Sequence, residues 1–203
     1  MADGGWSWAA IVALAIVPIV LTAATAFAKS SVLFGAVRVG LGAEALLPLP
    51  VILALAIVVT AVVMAPTAGA VLSEIDARGG FAALGEASPS EWLDAATPWT
   101  EFLRRHSDPG ELASFAELQS RSADDPLVLV PAFLTTELRE ALQMAVVVLV
   151  PLVIVDLLVA HASALLGLST LPVQLVSVPL KLLLFLAVGG WDVVIGGLVE
   201  GYR

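Results

Sequence analysis

Met144 to Gly190 reads MAVVVLVPLVIVDLLVAHASALLGLSTLPVQLVSVPLKLLLFLAVGG, and the reading of this stretch decides the fold. An apolar run from Met144 to Leu166 meets the turn-like Gly167-Leu168-Ser169-Thr170, and a second apolar run follows from Leu171 to Leu198. At about 1.5 Å per residue each run is long enough to cross a hydrocarbon core of about 30 Å as a helix. A chain that folds back at the turn forms an antiparallel helical hairpin. The formal charges inside the quoted stretch are Asp156 and Lys181, and they stand equally far from the Leu168–Ser169 bond. The hairpin therefore brings carboxylate and ammonium to one depth. An isolated charge at the centre of a membrane helix costs roughly 2.5 to 3.5 kcal/mol on insertion scales, so such residues are expected to be paired or functional. Glu137 and Glu200 share the same midpoint, which places a polar cluster of Glu137, Arg139 and Glu140, with Arg203 near its level, at the open end of the hairpin.

Composition agrees with a membrane setting. Hydrophobic residues make up 60% of the chain and charged residues 13%, outside the range of an ordinary soluble domain. There is no cysteine, which removes disulfides, thiolate metal sites and a cysteine nucleophile. Most of the net charge of −9 comes from one segment, Ser73 to Pro126, whose acids run from Glu74 to Asp125 against Arg78, Arg104, Arg105 and Arg121. This acidic stretch reads as a water-exposed insert. No basic stripe exists to neutralise phosphates, so nucleic acid is not expected as a partner.

Outward from the hairpin, Trp8 to Phe27 is an uncharged apolar run of spanning length with Pro18 inside it as an expected kink. Ala26-Phe27-Ala28 resembles a signal-peptide cleavage site, but the residues before the run carry Asp3 and no Lys or Arg, unlike a secretory n-region. A second apolar run, Leu49 to Ala65, ends at Met64-Ala65-Pro66. Within the insert, Glu91 to Arg105 and Pro109 to Arg121 read as short amphipathic helices, the second opened by Ser107-Asp108-Pro109 as an N-cap region with Pro in the first turn. The expected organisation is an N-terminal hydrophobic helical hairpin over 1–72, an acidic hydrophilic insert over 73–126, and a C-terminal hydrophobic hairpin with its turn over 127–203. The fold class is all-α, membrane-associated helical hairpins with a small acidic helical insert. Lys29 and Arg38 in the short first connection place it in the cytoplasm by the positive-inside rule, and the insert outside.

Four constellations carry alternative chemistry. The Asp156–Lys181 pair reads either as a switchable ion pair in a conduit or as a register device that holds two helices, or neighbouring subunits, together. His161, one turn beyond Asp156, extends the pair into a short relay, which would suit a small ion-coupled carrier or channel built on Asp156, Lys181 and His161. His106 lies in the acidic insert with no ligand spacing to His161, so no metal site is expected, nor any cofactor. Asp156 and Asp192 would form an intramembrane aspartic protease dyad only if they met, yet the hairpin sets them about 16 Å apart along its axis. No catalytic residue is assigned. Glycines 189, 190, 196, 197 and 201 give the last helix small residues, and the Gly197 to Gly201 spacing allows a close helix contact or a frayed, bent end.

Several ordered motifs resemble one family. Pro131-Ala132-Phe133, Thr136-Glu137-Leu138-Arg139-Glu140-Ala141, Val150-Pro151-Leu152-Val153-Ile154-Val155-Asp156-Leu157, Pro179-Leu180-Lys181-Leu182-Leu183-Leu184-Phe185 and Gly190-Trp191 look like the signature of the FliP/SctR (YscR) family. Pro18, Thr25-Ala26-Phe27-Ala28-Lys29-Ser30-Ser31-Val32 and Met64-Ala65-Pro66 fall in the family's order. The resemblance covers nearly all of the chain except the insert. It implies a core export-apparatus subunit of a bacterial type III secretion system, flagellar or injectisome, with the injectisome form favoured. It further implies a homo-oligomer, typically a pentamer, that assembles with SctS/FliQ-like and SctT/FliR-like subunits into a helical ring. That ring would contact a large export-gate protein, lie largely on the periplasmic side of the bacterial inner membrane, and pass unfolded exported proteins through its centre without covalent chemistry.

Two departures from the family pattern matter. The family often has a methionine-rich, deformable seal between its last two helices, whereas the corresponding gate loop here, Leu165, Leu166, Gly167, Leu168, Ser169, Thr170 and Leu171, has no methionine. Gly189 stands where the family commonly has an acidic residue before Gly-Trp, which leaves Lys181 more dependent on Asp156.

Overall fold

The computed structural model describes Ala15 and residues 18–80, 88–168 and 171–203. Among them the regular structure is helical. The helices are α1 (Phe27–Leu41), α2 (Leu49–Ala77), α3 (Pro89–Ala95), α4 (Thr97–Arg105), α5 (Pro109–Gln119), α6 (Pro126–Leu165), α7 (Gln174–Ala187) and α8 (Gly190–Glu200). Residues 18–23 are also helical and end at a bend over 24–26, while the start of the Trp8 to Phe27 run, residues 8–14 with 16 and 17, lies outside the described residues.

Among the described residues two helices, α2 and α6, are long and apolar enough to cross a membrane, and α7 with α8, bent by 59°, passes the same test together as a broken span or a re-entrant loop. The second apolar run does not stop at Met64-Ala65-Pro66: α2 continues through Pro66 to Ala77. A proline deletes one intrahelical hydrogen bond and costs about 3 kcal/mol in a helix interior. Where the surroundings offer the backbone no other partner, though, the remaining bonds keep the helix running. Likewise α6 takes in Leu127 to Phe133, the polar patch and the apolar run as a single helix of 40 residues.

The chain divides into two compact units. The first comprises 1–28 and 64–137 and holds α3, α4 and α5. Its core holds one aromatic pair, Phe102 of α4 and Phe133 with ring centroids 5.8 Å apart, and the fully buried Leu103, Val128, Leu129 and Ala132. Trp99 Nε1 donates to the Ala24 carbonyl at 2.9 Å, and the Asp108 N–H donates to Thr136 Oγ1 at 2.9 Å.

The stretch Glu91 to Arg105 forms two helices rather than one. Pro98 has no N–H to offer the Asp94 carbonyl, and Thr97 Oγ1 donates to that carbonyl instead at 2.7 Å, so α3 ends and α4 begins across Ala96. Asp108 caps α5, its Oδ1 accepting from the Gly110 and Glu111 N–H groups at 2.8 and 3.2 Å, with Pro109 in the first turn.

The second unit comprises 29–63 and 138–203. Leu33, Phe34, Val37 and Leu41 of α1, Ile52 and Ala56 of α2, and Leu198 of α8 are buried in it almost completely. Gly40 lets α1 pack against α6, since a Cβ there would stand 2.4 Å from a methyl carbon of Leu149. The bend between α7 and α8 is built on Gly189, whose φ of 64° and ψ of 42° are left-handed, and on Gly190, over which the Phe185 ring lies. Trp191 then stands edge-on to Phe185 with centroids 5.3 Å apart and touches Phe34 at 6.3 Å.

Candidate functional site: buried lysines held by one helix

The row of α7 that faces inward is Ser177, Lys181 and Phe185, spaced by one helical turn each, while Leu175, Val176, Leu183 and Leu186 face outward. A soluble helix buries leucines and exposes its lysine. This helix does the reverse.

Lys181 Nζ donates to Asp156 Oδ2 at 3.0 Å, and the two side chains are 5% and 41% exposed. The ammonium is thus sealed, and its carboxylate on α6 keeps a partly open edge. Gly42, which has φ 65° and therefore suits a residue without a side chain, brings the chain after α1 up to the same lysine: a Cβ there would lie 3.0 Å from Val178 and 3.7 Å from Lys181 Nζ. Ser177 Oγ is buried one turn before Lys181 and has no hydrogen-bond partner.

A second buried lysine repeats the arrangement. Lys29 of α1 is 2% exposed, and its Nζ donates to Glu140 Oε2 of α6 at 2.5 Å, with Glu140 47% exposed. Its other side is covered by the Tyr202 ring, whose centroid is 4.5 Å from the ammonium. Glu140 and Asp156 share α6, separated by about 24 Å along its axis and about 160° around it. The two lysines therefore grip α6 at two levels and from nearly opposite sides. The Lys29 contact was not read from the sequence. Its two residues are 111 positions apart, with no turn between them to set a register. The one signal was Lys29 itself, a charge embedded between Phe27-Ala28 and an apolar helix.

The other candidate residues are distributed differently. Glu137 is buried and Arg139 exposed. α6 ends at Leu165 in a Schellman cap, with the Leu168 N–H bonded to the Ser163 carbonyl at 2.9 Å and the Gly167 N–H to the Ala164 carbonyl at 3.1 Å, around Gly167 at φ 69°. Leu165, Leu166, Leu168 and Leu171 are exposed at this turn, and Ser169 and Thr170 lie outside the described residues. His161 is exposed, and its Nδ1 lies 2.7 Å from the Leu157 carbonyl of its own helix, so the third member of the carrier relay is engaged with backbone. Asp192 occupies the first turn of α8, and Asp156 is committed to Lys181. His106 sits against Phe102 with Nδ1 2.9 Å from the Phe102 carbonyl. No cluster with metal-ligating potential occurs among the described residues. Gly197 gives a close contact within the chain, since a Cβ there would meet Met144 Cε at 3.3 Å.

Long apolar helices with charged residues turned inward define a membrane-embedded subunit whose outward surface is built to be covered. Residues 10–198 match the FliP family, and the chain belongs to that family. It is 34% identical to the hypersensitivity response secretion protein HrcR of Ralstonia nicotianae, covering 95% of this chain and 94% of that protein. It is 32% identical to the flagellar biosynthetic protein FliP of Caulobacter vibrioides, over 94% of this chain and 73% of that protein. It is 29% identical to the virulence protein YscR of Salmonella typhimurium, over 93% and 92%. The chain is accordingly a membrane subunit of the type III secretion export apparatus, and the ion-coupled carrier is not favoured.

Proposed function

We propose that this chain builds the wall of a protein-export conduit in the bacterial inner membrane, as several copies, five in the reading favoured by the family resemblance, together with SctS/FliQ-like and SctT/FliR-like subunits. Unfolded proteins pass through the centre, with the assembled ring largely on the periplasmic side, the acidic insert 73–126 facing the periplasm, and a large export-gate protein beneath. Asp156 and Lys181 set helix register, Glu137, Arg139 and Glu140 form a polar assembly region, and the exposed leucines of the 165–171 turn line the gate.

One observation carries this reading: α7 is turned inside out, with Ser177 and Lys181 inward and its leucines outward. A chain with that surface requires lipid or other apolar helices around it. A lysine already neutralised inside its own subunit is a structural support rather than a transported charge.

The injectisome branch is the one the family resemblance favours, and the identities to HrcR and YscR, 34% and 29%, bracket the 32% to FliP. The test is phenotypic, because loss of the gene abolishes host-directed secretion and leaves motility intact if that assignment holds. The conduit itself is tested by the mass of the detergent-extracted complex after co-expression with its two small hydrophobic partners. A multi-subunit ring is expected, and an active monomer or dimer that conducts ions on reconstitution would overturn the proposal.

A further inference from the structure

The segment that follows α8 turns back into the second unit. The Gly201 N–H bonds to the Gly197 carbonyl at 3.2 Å and the Tyr202 N–H to the Val199 carbonyl at 3.2 Å, so the last helical turn tightens and swings Tyr202 over Lys29. Gly201 belongs to the same contact: a Cβ there would stand 3.8 Å from Lys29 Nζ. A nearly sealed ammonium thus has a carboxylate on one side, Glu140 at 2.5 Å, and the face of an aromatic ring on the other, at 4.5 Å. An ammonium within about 6 Å of a ring centroid is attracted by the negative π face, and the attraction grows when water is excluded.

We infer that Tyr202 is a positioning residue: its ring face holds the Lys29 ammonium against Glu140 and so locks α1, α6 and the end of α8 together. Three elements far apart in sequence meet at this one charge. The lock goes beyond the conduit reading, because it assigns work to a residue outside the signature motifs, and it would stand whatever the ring exports.

The test uses the full chain co-expressed with its partner subunits, and reads the ratio of assembled to unassembled subunit on a native gel. Tyr202→Phe and Tyr202→Trp keep a π face and are expected to assemble. Tyr202→Leu keeps apolar bulk without the π face, and is expected to lower the ratio by roughly tenfold. In a Lys29→Met background the Phe and Leu variants should become equal, since no cation remains to be held. Equal assembly of the Leu and Phe variants in the parent background would overturn the inference. So would the same gap between them after Lys29→Met. Should Lys29→Met alone fail to accumulate, the Phe, Trp and Leu series still decides.

Discussion

The two units use charge in opposite ways. In the first, ion pairs are wet and mostly local: Arg78 with Glu74 and Arg105 with Glu101 are one helical turn apart, Arg121 and Asp125 pair within the α5–α6 connection, and a longer-range pair, Arg104 with Asp124 at 4.0 Å, is well exposed. In the second, Lys29 and Lys181 are sealed and reach carboxylates 111 and 25 residues away. An exposed pair gains little, because water screens it and two long side chains lose freedom. A sealed lysine leaves no such latitude: once buried it must find its carboxylate, so it dictates which helices meet and at what level. The same two functional groups therefore decorate one unit and specify the other.

The largest expected effect follows from how unequally the 156–181 pair is buried. Asp156→Leu strands an ammonium that is 5% exposed, and is expected to cost about 3–5 kcal/mol, the range for removing one partner of a buried pair. Lys181→Met leaves behind a carboxylate that is 41% exposed on the subunit rather than sealed within it, so its cost is smaller. Folded yield and resistance to denaturant in detergent should rank parent, then Lys181→Met, then Asp156→Leu. The reverse order would mean that the carboxylate, not the ammonium, is the group the fold must satisfy.

The contrast also explains what could be read from sequence. A tight turn converts sequence separation into depth, so Asp156 and Lys181 could be matched by their equal distance from Leu168–Ser169. Lys29 and Glu140 stand 111 residues apart, and packing of α1 on α6 through Gly40 sets their register, which no local rule encodes. Helix ends followed local chemistry where it was strong: Asp108-Pro109 opens α5 and Gly167 closes α6. Pro66 misled because a proline marks a stop in water, yet α2 continues through it. Ser88-Pro89-Ser90-Glu91 carried a helix-start pattern that reading the segment from Glu91 passed over.

Next in size are the glycines of the second unit. Gly190→Ala places a Cβ 2.4 Å from the Phe185 ring, and overpacking of this kind costs about 1–3 kcal/mol. Gly189→Ala forces an L side chain into the left-handed region at φ 64°, about 1–2 kcal/mol. Gly196→Ala meets nothing within 4 Å and should be neutral or slightly stabilising through helix propensity. Thermal melts of the three variants in one detergent separate a shaped elbow from a merely glycine-rich, pliable helix. If Gly190→Ala melts with Gly196→Ala, the Phe185–Trp191 corner does not fix the bend. In the first unit the counterpart is Asp108→Ala, which removes the α5 cap and is expected to cost about 1 kcal/mol.

The smallest effect lies at the start of α3. The Ser88 N–H and Ser88 hydroxyl donate to Glu91 Oε2 at 2.6 and 2.8 Å. The backbone bond first, then the hydroxyl, hold this carboxyl below its ordinary range, with the charge of Arg78 adding to them. A carboxyl whose pKa is depressed by folding stabilises the fold fully above its unfolded value, and that contribution is lost as pH falls through the depressed value. Acid should therefore loosen the first turn of α3 while α4, which has no acid in its first turn, stays put. Hydrogen exchange across 88–105 at a series of pH values below the ordinary glutamate range reads this directly, and Glu91→Gln should flatten the α3 response. An equally steep response in Glu91→Gln would move the acid sensitivity to another carboxylate. Asp125, half-buried and held low by the Leu127 N–H and by Arg121, is the carboxyl of this unit placed to show it. In the second unit the carboxylates that face Lys29 and Lys181 tie α6 to α1 and α7, so replacing one of them would loosen a helix contact and not merely the end of a helix.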